Sequence, residues 1–179
     1  MIDPQLELII FDADGTLRYV TVPGQHYPLR ANEWRLMPNV PETLRALPRS
    51  RLKFGIASNQ HGVALGLLTQ AEAQALLLST WHSAWASLAP SVLIEMCVCL
   101  PDAPCIRRKP EPGMLQSLIR RYGVPPERAL YVGDLPIDRD AAERAHVRFS
   151  WAQEFFAPKP ASELLLAQHE KSDPDRNPK

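Results

Sequence analysis

Buried-looking apolar runs that each stop at a polar residue constrain this chain more than any other feature. Residues 6–11 read as a strand and end in Asp-Ala-Asp-Gly. Residues 52–57 read as a second strand and end in Ser-Asn-Gln, and residues 129–132 as another that ends at Gly133-Asp134. Further strands are expected over 92–98 and 147–151, and helices over 38–47, 63–88, 112–122 and 139–145, with Gly123 as a helix cap. Residues 19–28 carry Gly and Pro and fit a loop or a small hairpin, with room to act as a flap. Strands alternating with helices imply βαβ units and a parallel sheet of about five strands, an α/β fold. In such sheets ligands lie beyond the carboxyl ends of the strands, where these polar residues fall.

Length and composition fit that picture. The 179 residues suit one domain, expected over 1–170, with 171–179 as a disordered tail. Eighteen prolines, about twice ordinary usage, work against long uninterrupted helices. Twenty basic and twenty acidic residues cancel, so no global field draws the chain to nucleic acid or to an anionic membrane. The apolar runs are too short to span a bilayer, and the first residues lack the pattern of an export signal. A cytoplasmic, reducing location is expected, with no membrane partner. No G-x-x-x-x-G-K-[ST], G-x-G-x-x-G, G-x-S-x-G or H-E-x-x-H motif occurs, which removes the usual support for nucleotide-binding, serine-hydrolase and zincin readings.

The polar residues at the strand ends make a coherent chemical set. Asp12 and Asp14 sit at the mouth of the first strand, and Asp134 and Asp138 follow a neighbouring one. Four carboxylates facing one cleft repel each other unless a cation intervenes. Oxygen ligands of this kind suit Mg²⁺. Ser58 adds a hydroxyl and Lys109 a positive charge. Together they supply what phosphoryl transfer needs: charge neutralisation, a carboxylate nucleophile and a second carboxylate for the leaving-group proton. Taken singly, each has an ordinary alternative as a turn, cap or surface residue, and Asp138 could simply cap the helix after it.

These motifs resemble those of the haloacid dehalogenase (HAD) superfamily of phosphohydrolases. FDADGTL at 11–17, Ser58 in IASNQ, Lys109 in RKPEPGM and GDLPID at 133–138 match its four motifs in order. The resemblance implies a three-layer Rossmann-like fold and a Mg²⁺-dependent phosphatase working through an aspartyl-phosphate. It makes Asp12 the nucleophile and Asp14 the general acid and base. Ser58, Asn59 and Lys109 would hold the phosphoryl group. Asp12, the Asp14 carbonyl and Asp134 would ligate Mg²⁺, with Asp138 supporting the site through Lys109. Asp12 and Ser58 lie 46 positions apart, and Ser58 and Lys109 51 apart, so neither gap holds a large cap domain.

Two capless groups are similar to this chain: the phosphatase domain of polynucleotide kinase/phosphatase, and the histidinol-phosphate and heptose-bisphosphate phosphatases. Residues 32–36, 54–67 and 151–156 favour the first, making a nucleic-acid 3′-phosphate end the expected substrate. Arg35, Arg107, Arg108, Arg120 and Arg121 could line a backbone track, and Trp34, Trp81 and Trp85 could stack bases. Cys97, Cys99 and Cys105 favour the second group, which carries a zinc loop there. In this chain Cys99 stands in the histidine position and Arg107 in that of the last cysteine, so only three ligands are visible, with His61 and His82 candidates for a fourth by type alone. A non-enzymatic binding module and a protein phosphatase are the remaining alternatives.

Overall fold

The computed structural model describes residues 3–158. The central strand β1 (Leu8–Phe11) is followed by β2 (Arg18–Val20) and β3 (Trp34–Leu36), then α1 (Val40–Arg45), β4 (Lys53–Asn59) and α2 (Gln70–Trp85). After these come β5 (Val92–Cys97), α3 (Gly113–Tyr122), β6 (Ala129–Gly133), α4 (Pro136–Arg144), β7 (Arg148–Trp151) and α5 (Ala152–Phe155). Five strands form one parallel sheet in the order β5-β4-β1-β6-β7. Phe11 lies opposite Ile56 on one side and Val132 on the other, which brings the carboxyl ends of β1, β4 and β6 into line. The strand order reverses direction between β1 and β6, the place where ligands gather in such sheets.

Both faces of the sheet are covered. The four residues of β1 are fully buried, and their alternation sorts them onto the two faces. Leu8 and Ile10 pack with Leu115 and Leu118 of α3 and Ala141 and Ala142 of α4. Ile9 and Phe11 pack with Val40 and Leu44 of α1 and Leu77 and Trp81 of α2. On that second face Phe11, Phe54, Trp81 and Trp85 form a contiguous aromatic cluster with ring centroids 5.3–6.2 Å apart. Burial of each such side chain contributes about 1.5–3 kcal/mol. No helix among the described residues is long and apolar enough to cross a membrane.

Several local expectations need correction. The helix expected over 63–88 begins only at Gln70: Gly66 adopts φ +70°, and Thr69 caps the helix through a reciprocal box with Glu72. The Ala- and Leu-rich composition of 63–69 is helical in type, but a glycine in the left-handed region and a strong capping pair override it. The helix after β6 starts at Pro136 rather than 139, because proline suits the first helical turn and the Asp138 carboxylate accepts from the N–H groups of Asp134 and Leu135. Residues 19–28 belong to a hairpin-like excursion, in which β2 and β3 pair antiparallel around a connection over 21–33. The expected tail at 171–179 lies outside the described residues.

Trp81 is fully buried at the centre of the aromatic cluster, and its indole N–H donates to the Pro90 carbonyl at 2.8 Å. Trp81→Ala should therefore cost about 3–5 kcal/mol of stability, read as a fall in the urea midpoint. An unchanged midpoint would show that the cluster does not bear on the stability of the sheet.

Candidate active site

The aligned ends of β1, β4 and β6 set the site. Asp12 follows β1 directly, and its N–H donates to the Val132 carbonyl, so the strand pairing carries it one residue past the sheet edge. Lys109 reaches in from the loop between β5 and α3. Its ammonium lies 2.7 Å from Asp12 Oδ1 and 2.6 Å from Asp138 Oδ1, and it donates to the Tyr131 hydroxyl at 2.9 Å. Lys109, Asp12 and Asp138 are all buried. Asp138 is saturated by Lys109, Tyr131 and the two backbone N–H groups at the start of α4. Asp12 Oδ1 is less fully served: beyond the ion pair with Lys109 it accepts no other hydrogen bond among the described residues.

The electrostatics follow from this crowding. Burial, reinforced by Asp138 and Asp134, pushes the Asp12 carboxyl up to about 7 against the pull of Lys109. Burial also raises Asp134, with Asp138 adding to it and a hydrogen bond from Thr16 opposing. Burial works to lower the Lys109 pKa, but Asp12 and Asp138 outweigh it and hold the ammonium above its ordinary value. Burial and the same carboxylates push the Tyr131 hydroxyl well up, so it stays a neutral donor. Carboxylate oxygens of Asp12, Asp134 and Asp138 lie within 4.8 Å of one another. Three carboxylates this close, with one ammonium between two of them, form a donor set that suits a hard divalent cation.

Two glycines allow this close packing. Gly15 adopts φ +91°, and a Cβ there would fall 2.2 Å from Asp134 Oδ2. Gly133 leaves no room for a side chain either: a Cβ would meet the Asp138 side chain at 2.4 Å. Thr16 then donates to Asp134 Oδ1 at 2.8 Å and fixes that carboxylate from the β1 side.

Asp14 and Ser58 occupy the other side of the cleft. Ser58 Oγ accepts from Gln60 Nε2 at 2.9 Å, and the same nitrogen donates to Asp14 Oδ2 at 2.9 Å. Arg18, fully buried, grips Asp14 with Nε at 2.7 Å and Nη2 at 3.3 Å. The Asn59 side chain, expected at the phosphate, is committed elsewhere. Its Nδ2 donates to the Lys109 carbonyl at 3.2 Å and its Oδ1 accepts from the Lys109 N–H at 3.1 Å. Asn59 thus ties the Lys109 loop to β4, spending one N–H and one lone pair of its amide there. Arg18, Gln60 and Tyr131 are functional neighbours with no local signature in the sequence.

Comparison with known proteins decides the family. A family model described as polynucleotide kinase 3 phosphatase matches residues 7–163. The chain belongs to this phosphatase family, within the HAD superfamily. It is 33% identical over 141 residues to D-glycero-beta-D-manno-heptose-1,7-bisphosphate 7-phosphatase of Bordetella bronchiseptica, covering 78% of this chain and 76% of that protein. It is 31% identical over 140 residues to the protein of the same name from Pseudomonas aeruginosa, covering 75% and 74%. The structure of D,D-heptose 1,7-bisphosphate phosphatase from B. bronchiseptica, complexed with magnesium and phosphate, superposes with a TM-score of 0.70 at 25% identity, covering 91% of this chain and 99% of that one. The chain is accordingly a HAD-type phosphatase with a Rossmann-like α/β fold.

The features expected to hold nucleic acid or zinc fare differently. Trp81 and Trp85 are fully buried in the aromatic cluster and Trp34 of β3 is buried with Leu68, Ala73 and Leu76, so none presents a face to a base. Arg107 and Arg121 are paired with Glu95, at 2.5 Å and 3.0 Å. Arg108 donates to the Cys99 carbonyl, and Arg35 to the carbonyls of Asn32 and Trp34. The three cysteines do converge: Cys105 Sγ is 2.6 Å from Cys99 Sγ and 3.5 Å from Cys97 Sγ. Among the described residues no histidine or carboxylate joins them. His61 packs edge-on against Tyr27, and His82 is exposed on α2. Three thiols without a fourth protein ligand do not make the closed tetrahedral site of a structural zinc.

A cavity of about 220 Å³ opens between the 21–33 connection and the loop after β4, lined by Gln25, His26, Tyr27, His61 and Leu67. Burial, then Arg108 and His26, lowers the His61 pKa.

Two changes probe the architecture of the site. Tyr131→Phe removes the hydroxyl shared by Lys109, Asp138 and the Ala57 carbonyl, and should cost about 1–3 kcal/mol in urea unfolding. Gly15→Ala forces a Cβ into Asp134, so phosphatase activity should fall to near background. Normal turnover in that variant would show that Asp134 can move without consequence.

Proposed function

We propose that the chain is a Mg²⁺-dependent phosphomonoesterase acting on a small phosphorylated sugar of the heptose-bisphosphate class, through an aspartyl-phosphate on Asp12. The observation that carries the chemistry is the buried Asp12 carboxylate, 2.7 Å from the Lys109 ammonium and with an oxygen within 4.8 Å of one of Asp134. The substrate class rests on the names of the similar proteins, and on the burial of Trp34, Trp81 and Trp85.

The Asp12 and Asp134 carboxylates, with the Asp14 backbone carbonyl, would hold the cation. When bound, it neutralises phosphoryl and carboxylate charge. A carboxylate oxygen of Asp12 attacks phosphorus, and the ester P–O bond breaks as Asp14 gives its proton to the departing alkoxide. Ser58 and Lys109 hold the equatorial phosphoryl oxygens, Lys109 being itself oriented by Asp138, Tyr131 and Asn59. In the second half, Asp14 removes a proton from water, the water oxygen attacks phosphorus, and the P–O bond to Asp12 breaks. Inorganic phosphate leaves with both carboxyl groups restored to their starting forms. The cavity lined by Gln25, Tyr27 and His61 would receive the part of the substrate beyond the phosphate, with residues 19–28 as the selecting element.

The second reading is a nucleic-acid 3′-phosphate end, favoured by the description of the matching family model. The test is phosphate release with Mg²⁺ from heptose 1,7-bisphosphate, histidinol phosphate and a 3′-phosphorylated oligonucleotide, with Asp12→Asn as the blank. Preference for the heptose ester, with weak dependence on salt, supports the first reading. Preference for the oligonucleotide with a steep loss on adding salt would replace it by the second. Asp12→Asn should abolish turnover, Asp14→Asn should lower it about 100-fold or more, and chelation of Mg²⁺ should stop it reversibly. Turnover by Asp12→Asn at the wild-type rate would end the mechanism.

A further inference from the structure

Phosphoryl transfer of the kind proposed needs no cation behind the general acid, yet this chain buries one there. After Asp14 the backbone turns tightly: the Gly15 N–H donates to the Arg18 carbonyl at 2.8 Å, and the Arg18 N–H to the Ala13 carbonyl at 3.0 Å. That turn returns residue 18 to the same side as Asp14. Arg18, the first residue of β2, is fully buried, its guanidinium over the Trp34 ring at 5.9 Å from the centroid. Its Nη1 donates to Thr80 Oγ1 at 3.0 Å, and the Thr80 hydroxyl in turn donates to the Leu76 carbonyl within α2. Among the described residues Asp14 is its only salt-bridge partner. A guanidinium removed from water in this way requires a paired, hydrogen-bonded carboxylate, so the two side chains hold one another in a single geometry.

The oxygen count shows what that geometry leaves free. Asp14 Oδ2 accepts from Arg18 Nη2 and Gln60 Nε2, which occupies both of its lone pairs. Asp14 Oδ1 accepts only from Arg18 Nε, so one lone pair remains, on a side chain 15% exposed at the cleft. We infer that Arg18, seconded by Gln60, is a positioning residue that fixes the Asp14 carboxylate so that Oδ1 is the oxygen exchanging the proton in both half-reactions. The inference rests on the reading of Asp14 as the general acid and base. It makes helix α2 and the β2–β3 hairpin part of the catalytic support, since Thr80 and Trp34 keep the guanidinium in place.

The test uses Arg18→Met and Arg18→Lys with two simple esters. p-Nitrophenyl phosphate releases a phenolate that needs no proton, whereas glycerol 2-phosphate releases an alkoxide that does. Arg18→Met should lower kcat on both about 10- to 100-fold with KM within about twofold. With p-nitrophenyl phosphate the acid-quenched phosphoenzyme should accumulate above the wild-type level, because its hydrolysis still needs Asp14. Arg18→Lys, which keeps the charge without the fork, should recover part of kcat. The double variant Asp14→Asn/Arg18→Met should be no slower than Asp14→Asn alone, as expected if Arg18 acts through Asp14.

Wild-type kcat and phosphoenzyme level in Arg18→Met would overturn the inference. So would a rise in KM at constant kcat, or independent losses in the double variant. If Arg18→Met fails to fold, Arg18→Lys and Gln60→Leu carry the same readouts. Asp14→Asn measured in parallel separates the two failures: full activity there rejects the acid–base reading itself, whereas an inactive Asp14→Asn beside an unimpaired Arg18→Met rejects only the role of Arg18.

Discussion

The buried ion triad of Asp12, Lys109 and Asp138 is the interaction on which the rest of the site depends. One ammonium serves two carboxylates at 2.7 Å and 2.6 Å, all three groups being removed from water. Removing one member of such an arrangement leaves an uncompensated buried charge, which costs far more than the net value of the pair. The surrounding structure is organised to keep the triad together. Tyr131 bonds both Lys109 and Asp138, Asn59 fastens the main chain at Lys109 to β4, and two N–H groups at the start of α4 hold Asp138. The negative charge that remains uncompensated is concentrated on Asp12 and Asp134, beside each other at the cleft.

The fold delivers these groups through backbone pairing. Parallel pairing of β1 with β4 and β6 aligns three strand ends, and Asp12, Ser58 and Asp134 sit on or just beyond them. Helices on both faces bury the strands so fully that the sheet acts as a rigid mount. Less regular parts lie around it. The 21–33 connection and the loop after β4 line a cavity, while the Cys97–Cys105 region adjoins the loop that carries Lys109.

Much of this was legible from the chain alone. Asp12, Asp14, Ser58 and Asp134 stand out because each lies at or just past the end of an apolar strand, and strand ends have strong local signals, whereas Lys109 and Asp138 stand out through the RKPEPGM and GDLPID motifs. The start of α2 was misplaced because residues 63–69 have helical composition, whereas the Thr69–Glu72 cap and the conformation of Gly66 decide where the helix begins. The tryptophans were ambiguous for a different reason. Trp81 and Trp85 lie four apart on α2, and only the packing of that helix on Phe11 and Phe54 shows that they face inward.

By itself the sequence determined the α/β class, the parallel sheet and a set of oxygen and amine groups suited to phosphoryl transfer. Those follow from periodicity and from the chemistry of residue types at strand ends, which are local properties. Tertiary structure alone decided which groups are spent on one another. It tied Asn59 to the Lys109 backbone, buried Arg18 against Asp14, and put Tyr131 between Lys109 and Asp138. It also gathered three thiols with no fourth ligand among the described residues. These outcomes depend on distances between segments far apart in the chain, and residue type says what a side chain can bond, not which partner the packing brings within reach.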